Sequence, residues 1–237
     1  MFIGGMRALI LQTLHPAAMT AVAEHSGYRG DMWGRLARTS TFLATTTFGV
    51  ASDAEAAVAA VRRIHERITG TMPDGSPYAA SDPHLLRWVH VAEVDSFLLA
   101  HQTYGARPLD QAGRDSYVAQ TAVVAERLGV GDPPRTEQQL RDALKAFRPE
   151  LRGTAHAREA VGFLLLHPDL PLAARPAYLV LAASAVALLP AWTRRELRLP
   201  WLPISERTLV RTLGEAATRT IRWALTPPPG AASPLAG

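Results

Sequence analysis

The chain contains no cysteine among its 237 residues. This absence excludes disulfide bonds, zinc–thiolate sites, iron–sulfur clusters, cysteine nucleophiles and heme–thiolate ligation. A metal ion would therefore need nitrogen or oxygen donors such as His, Asp and Glu. Several motifs are missing as well: His-Glu-x-x-His, Glu-x-x-His, Gly-x-Ser-x-Gly and the glycine-rich nucleotide-binding loops. Zinc protease, ferritin-like di-iron, hydrolase, kinase and dinucleotide-binding functions are disfavoured accordingly.

Long hydrophobic runs and lysine are also scarce. The longest apolar run, 177–189, has 13 residues and ends before Pro190, which is too short for a membrane span and predicts a buried core helix. Polar residues interrupt the N-terminal apolar segment, so we expect no signal peptide and a cytoplasmic protein. Lys145 is the one lysine, and the net charge of +4 rests on scattered arginines, a pattern that does not favour nucleic-acid binding.

What the chain has is hydrophobic residues, at 48%, in helical rather than alternating patterns. This composition predicts an all-α fold with one sizeable core. We expect a single domain over residues 1–226, followed by a disordered tail rich in Pro, Gly and Ala over 227–237.

Start and stop signals divide the chain into helices. Gly4-Gly5 is interpreted as preceding the first helix, which Pro16 interrupts, and Asp82-Pro83 is a cap followed by a first-turn proline. Proline- and glycine-rich stretches predict loops over 26–34, 71–81 and 190–203. The predicted helices cover residues 6–24, 35–48, 54–69, 83–104, 111–129, 137–147, 153–166, 175–189 and 205–224.

His65 is the first candidate functional residue. Val58, Val61 and Ile68 lie at helical spacing from it, so its side chain is expected to point inward with the apolar stripe. A neutral imidazole among aliphatic side chains suits an axial heme ligand, because iron accepts the ring nitrogen and competing water is kept away. A core histidine bonded to a backbone carbonyl remains the alternative.

Arg35, Arg38 and Thr39 form a second candidate group, on one face of a helix. That helix continues without further charge as far as Asp53, which predicts that it is largely buried. Buried arginines need partners such as heme propionates, carboxylates or substrate oxygen. A solvated helical face is the alternative for this pair of arginines.

The other histidines differ in their expected roles. His15 and His25 lie ten residues apart across a proline, which is not a metal-ligand spacing and favours structural roles. His90 shares a helical face with apolar residues and is expected to face inward. His84 and His101 are predicted to lie at the surface.

The ordered set of motifs resembles the MpaB-type oxygenase family, which includes the rubber-cleaving latex clearing proteins. The resemblance covers most of the chain and is strongest over 4–105, and Leu188-Leu189-Pro190 with the following arginines also fits. The motifs, in order, are Gly4-Gly5-Met6-Arg7-Ala8-Leu9-Ile10-Leu11-Gln12, His15-Pro16, His25-Ser26, Arg35-x-x-Arg38-Thr39, Phe48-Gly49, Ile64-His65-Glu66-Arg67 with Gly70, Tyr78-x-Ala80-x-Asp82-Pro83, and Trp88-Val89-His90.

The resemblance implies a single globin-like helical bundle around one buried b-type heme, with His65 as the proximal iron ligand. Arg35, Arg38 and Thr39 match the distal polar motif, so they are implied to be catalytic and to contact the heme. His90 is a further heme-pocket candidate. Latex clearing proteins have an iron-coordinating lysine at the position of Arg38. Because a protonated arginine is a poor ligand, we expect an open or water-bound distal side.

The implied function is that of a heme b-dependent oxygenase using dioxygen on an apolar, isoprenoid-class substrate, with an electron donor as a further partner. Two alternatives stay open: a heme sensor, carrier or other heme enzyme, and a metal-free helical protein with structural histidines. No acidic residue matches the base proposed for latex clearing proteins, although Glu24 is nearby. Family members usually carry a segment before the Gly-Gly. Its shortness here predicts a partly open pocket and weaker heme binding.

Overall fold

The computed structural model describes residues 1–25, 32–166 and 170–225. Within these ranges the chain is helical apart from one small β-hairpin, which confirms the all-α fold class. The predicted tail at 227–237 and residues 26–31 of the predicted loop lie outside the described residues. The helices are α1 (Phe2–Gln12), α2 (Pro16–His25), α3 (Met32–Phe48), α4 (Ala51–His65), α5 (Pro83–Tyr104), α6 (Gln111–Leu128), α7 (Glu137–Phe147), α8 (Ala155–Leu166), α9 (Arg175–Ala187), α10 (Ala191–Leu197), α11 (Pro203–Ser205) and α12 (Arg211–Leu225).

Irregular turns and the hairpin complete the described chain. Strands β1 (Thr69–Thr71) and β2 (Pro77–Ala79) pair antiparallel. Short 3-10 turns lie after α7 and before α9, at Arg148–Glu150 and Leu172–Ala174, and a π-helical turn at Glu206–Val210 connects α11 to α12.

The helices predicted to begin at residues 83, 111 and 137 are each capped by the residue that precedes them. Asp82 accepts a hydrogen bond from the backbone N–H of His84 at 2.8 Å, at the start of α5. Asp110 does the same for α6, and Thr136 does so for α7. Gly129 ends α6 in the left-handed region with φ of 104°, which favours glycine because it has no Cβ.

Gly4 and Gly5 lie inside α1, so the prediction that they precede the first helix is wrong. The packing of α1 on α5 explains the difference. A Cβ on Gly4 would lie 2.8 Å from Cδ1 of Phe97 and 3.1 Å from its Cα. The missing side chain thus permits a close approach of the two helices, which a reading of local propensity does not include.

Two further boundaries differ from the predictions. The helix predicted to reach residue 69 ends at His65, strand β1 begins at Thr69, and strand β2 lies within the predicted loop 71–81. Helix α10 lies within the predicted proline-rich loop 190–203. Both features are short, and short segments carry little hydrophobic periodicity.

α5 is the central helix of the core. It packs against α1, α6, α7 and α12, and α1 also packs against α9. Trp88 and Val91 of α5 are completely buried, together with Ile10 of α1 and Val118 of α6. α9 contributes Ala185 to the same core, which confirms that the apolar run 177–189 is a core helix.

Helices α3 and α4 form a hairpin outside this core. α3 packs against α4, and α4 packs against α6. No residue of α3 whose burial is described is buried, and Phe48 at its end is 78% exposed. The prediction that this helix is largely buried is therefore wrong. An uncharged sequence rich in threonine tolerates solvent, so absence of charge did not indicate burial here.

None of the described helices is by itself both long and apolar enough to cross a membrane. One bent pair, Leu172–Ala187 with Ala191–Leu197, meets the requirements of length and composition together, with a bend of 116°. The core helices of soluble proteins also have this length and composition, so these two properties do not distinguish a membrane span from a core helix.

Candidate functional site

His65 is the last residue of α4, at the point where the helix leads into the β-hairpin. Its side chain is partly exposed, and its Nδ1 atom is buried. After three further residues the chain enters β1 of the hairpin, and beside it the backbone N–H of Ala80 donates to the carbonyl oxygen of Ile68 at 2.9 Å. His65 therefore lies between the end of α4 and the β-hairpin. The longer predicted helix had placed it in the interior of a helix.

A cavity of about 230 Å³ opens beside His65. Its walls come from the last turn of α4, the segment before α5, the first turn of α5 and the end of α6. Apolar side chains on α5 and α6 face charged and polar side chains on α4. The lining residues are Arg62, His65, Glu66, Ser81, Pro83, Leu86, Leu128 and Gly129.

Contacts with α6 hold α4 at this cavity. Arg62 Nη1 donates to the carbonyl oxygen of Arg127 at 3.3 Å, and Arg127 lies 3.4 Å from the carboxylate of Glu55. Val58 is the buried residue of α4. The middle of α4 thus packs against its neighbours, and its C-terminal turn, which contains His65, borders the cavity.

Tyr78 anchors the other side of the hairpin to α2. Its hydroxyl donates to the carboxylate of Glu24 and lies 3.1 Å from Nε2 of His25. Burial and the neighbouring Glu24 raise the pKa of Tyr78 to about 12, so the phenol stays protonated. A Cβ on Gly70, the residue paired with Tyr78, would lie 2.5 Å from the phenol oxygen, so glycine leaves room for this ring.

The α3–α4 hairpin brings the arginine motif toward His65. Two residues connect the antiparallel helices, so Arg38 and His65 lie about 15 Å and about 21 Å from the connection along their helix axes. Arg38 and Thr39 are exposed, so the prediction that this face of the helix is buried is wrong for them. The side chain of Arg35 lies outside the described part of the structure.

His90 and Glu93 lie further along α5 than Leu86, a residue of this helix that lines the cavity. Leu86, His90 and Glu93 share one helical face, because they are four and three residues apart. Nε2 of His90 is buried without a hydrogen bond from the described residues. Burial, with a smaller contribution from Arg87, lowers the pKa of His90 to about 4, so the ring is neutral near pH 7.

Glu93 lies one turn further from the cavity than His90. Burial raises the pKa of Glu93 to about 7. Burial and the charge of Glu93 raise the pKa of Tyr117 on α6. The buried ring nitrogen of His90 agrees with the expectation that this side chain faces inward. Its acidic neighbour Glu93 was not predicted. The spacing His-x-x-Glu in a helix is the signal that would have indicated it.

The positions of the remaining histidines agree in part with the predictions from the sequence. His84 and His101 are exposed, as predicted. His25 bonds the phenol of Tyr78, consistent with a structural role. His15 is buried and lies 3.6 Å from Glu150, a distant residue that its sequence neighbourhood does not suggest.

The chain matches, over residues 1–223, the family model described as "ER-bound oxygenase mpaB/B'/Rubber oxygenase, catalytic domain". The chain belongs to this family. The resemblance based on the ordered motifs is therefore confirmed, and the family is one of oxygenase catalytic domains. No curated protein and no solved structure gives a significant match.

The cavity of this mpaB/rubber oxygenase family member has one residue that could bind heme iron. Among the described residues that line the cavity, His65 is the nitrogen donor of the kind that heme iron accepts. The cavity volume of about 230 Å³ is below the 300–1,000 Å³ that is typical of ligand sites, so the described walls do not enclose a space of that size. An imidazole at this position is therefore of the donor type that fits heme iron.

A larger cavity, of about 350 Å³, lies elsewhere in this mpaB-family chain. It is bordered by Arg87 of α5, Asp132 and the following prolines, and Asp142 of α7. It includes none of the predicted site residues. Its mixture of one arginine and two carboxylates gives no consistent charge for a ligand, so the smaller cavity at His65 remains the candidate site.

Proposed function

We propose that this protein is a heme b-dependent oxygenase that uses dioxygen to oxidise an apolar, isoprenoid-class substrate. The position of His65 carries the proposal: in a chain of an oxygenase family, an imidazole borders a cavity between the end of α4, the start of α5 and the end of α6. An electron donor is proposed as a further partner.

His65 would hold the heme iron through one ring nitrogen. When bound, the heme would supply the redox chemistry that activates dioxygen. The protein's own contribution would be orientation. The packing of Arg62 on α6 and the anchoring of Tyr78 on α2 restrain the two segments on either side of His65. An imidazole restrained in this way loses little conformational freedom on binding the metal.

Arg38 and Thr39 would act at the same end of the α3–α4 hairpin. Arg38 stays protonated, so it would donate hydrogen bonds to a heme propionate or to dioxygen and would not replace His65 as a ligand. Their exposure is consistent with a site that is open before heme and substrate bind. Arg35 is proposed as a third member of this group from its place in the motif.

The surroundings of His65 favour an apolar substrate. Leu86 and Leu128 line the cavity, and Ile64, beside His65 in sequence, is 56% exposed. Aliphatic side chains that line a cavity favour the binding of hydrocarbon by the hydrophobic effect. The isoprenoid class is proposed from the family description, which includes rubber oxygenase.

Replacing Arg38 with alanine tests the proposed roles. We expect Arg38→Ala to keep the wild-type heme content and to lose at least about tenfold in oxygen consumption with a polyisoprenoid substrate, because a charged donor would be missing from the reaction site. The matched control is Arg107→Ala, which removes an exposed arginine before α6. Equal turnover in Arg38→Ala and the control would contradict the role of Arg38.

A further inference from the structure

We propose that His15, His84 and Glu150 form a binding site for a divalent transition-metal ion of the zinc class. The three residues come from distant parts of the sequence. His15 directly precedes α2, His84 is the second residue of α5, and Glu150 ends the 3-10 turn after α7. The packing of the helices brings one ligand atom from each residue together.

The separations of the ligand atoms fit a small metal ion. Nε2 of His84 lies 2.8 Å from Oε2 of Glu150, and Nε2 of His15 lies 3.6 Å from the same oxygen. All three ligand atoms lie within 4.8 Å of one another. Tetrahedral zinc, with bonds of about 2.0–2.2 Å, places its ligands about 3.2–3.6 Å apart. Small side-chain rotations of His84 and Glu150 would therefore complete the site.

His15 supplies an independent indication that a ligand belongs here. The residue is 9% exposed, and neither of its ring nitrogens makes a hydrogen bond within the described part of the chain. Buried polar atoms in proteins are nearly always hydrogen-bonded or bound to an ion or water. A metal ion between His15 and Glu150 would satisfy the ring nitrogen that points toward the carboxylate.

The local structure holds His84 in place and leaves the site accessible. Asp82 accepts a hydrogen bond from the backbone N–H of His84 at 2.8 Å, and the ring of Phe147 lies 4.7 Å from that of His84. The side chains of His84 and Glu150 are 56% and 43% exposed. An ion could therefore enter from solvent and keep water in its remaining coordination positions.

The donor set selects the class of metal. Two imidazoles and one carboxylate are typical of zinc and neighbouring transition metals, whereas magnesium and calcium prefer oxygen ligands. A bound ion would connect the α1–α2 junction, the start of α5 and the turn after α7. We therefore expect it to stabilise the packing of these segments.

Zinc titration of the purified protein tests the proposal. After treatment with EDTA and dialysis, isothermal titration calorimetry with Zn²⁺ should give one ion per chain. His84→Ala and Glu150→Gln should weaken binding at least about 100-fold, because each removes a direct ligand and loss of an outer-shell partner alone costs about 10–100-fold. The matched control is His156→Ala, which removes an exposed histidine on α8.

The same samples show whether zinc acts through the proposed site. Saturating Zn²⁺ should raise the melting temperature of the wild type and of His156→Ala, and should leave that of His84→Ala unchanged. Because His84 is exposed, its replacement is not expected to prevent folding. Wild-type zinc affinity in His84→Ala, or no one-to-one binding at millimolar Zn²⁺, would overturn the proposal and leave an ordinary His84–Glu150 ion pair.

Discussion

Glu93 has an environment that its sequence position does not suggest. It lies within the long central helix, where a charged residue would ordinarily face solvent, yet burial raises its pKa from 4.5 to about 7. In the unfolded chain the carboxyl titrates near its ordinary value. Between these pKa values the folded protein binds more protons than the unfolded chain, so this group lowers stability as pH rises.

Glu93→Gln should therefore stabilise the protein at high pH. At about pH 5 the carboxyl of the folded wild type is largely protonated, and the variant should have nearly the same free energy of unfolding. At about pH 8 the variant should be more stable, by up to about 3 kcal/mol, because the cost of burying the charge is gone. Denaturant unfolding at the two pH values measures the difference.

Glu66→Gln is the control for this comparison. Glu66 is exposed at the end of α4, so its replacement should not produce a gain that grows with pH. His90 and His15, whose pKa values are lowered by burial, make the opposite contribution, since their stabilisation is lost on acidification. Comparing each variant with the wild type at the same pH removes that contribution. A constant difference between Glu93→Gln and wild type across the range would contradict the buried carboxyl.

At the scale of elements, the contact between α1 and α5 depends on the absence of a side chain at Gly4. Helix propensity alone predicts that alanine is better than glycine in a helix, by up to about 1 kcal/mol. The close approach of Phe97 opposes that gain, because the added Cβ would press on both its ring and its backbone.

Gly4→Ala and Gly162→Ala form a matched pair that separates these effects. Both glycines are in helices, but a Cβ on Gly162 in α8 would meet no atom within 4 Å. We expect Gly162→Ala to stabilise the protein by about 0.5–1 kcal/mol and Gly4→Ala to destabilise it. Melting temperatures of the two variants report the sign. Stabilisation by both would mean that α1 is not packed closely against α5.

Helices that begin at a local capping signal were predictable from the sequence, whereas the β-hairpin, which depends on the pairing of two strands, was not. The caps at Asp82, Asp110 and Thr136 start helices where the sequence indicated, because a cap acts on backbone N–H groups two or three residues away. The β-hairpin was missed since each strand has three residues, too few for an alternating pattern. Gly70 directly follows the predicted helix 54–69, but it lies in β1, where the absence of a side chain leaves room for the ring of Tyr78.

At the scale of the whole molecule, family motifs that are far apart in sequence meet in space. Arg7 is 2% exposed, and its guanidinium contacts Asp95 at 2.8 Å and the carbonyl oxygen of Leu188 at 2.9 Å. Arg194, also buried, forms an ion pair with Glu206. The motifs around Arg7 and Leu188 therefore stabilise the packing of α1, α5 and the end of α9, and do not belong to the candidate site.

The candidate site was predictable only in part, because its residues come from distant parts of the sequence. The order of the motifs identified His65 and the arginine group, because order along the chain is visible in one sequence. The neighbours of His65 on α6, the anchoring of Tyr78 on Glu24, and the meeting of His15 with Glu150 depend on how helices pack. Periodicity gives the face of a helix that is buried, but it does not give the partner of that face.

The central claim is that His65 holds a heme, and the absorption spectrum of the purified protein tests it most directly. The protein would be expressed with a heme precursor and examined oxidised and reduced, with a pyridine hemochrome assay for heme content. The account predicts a Soret band at about one heme per chain in the wild type and in the control His156→Ala, and its loss in His65→Ala. Circular dichroism checks that each variant is folded. Wild-type heme content in His65→Ala, or no Soret band in a folded helical wild type, would contradict the account.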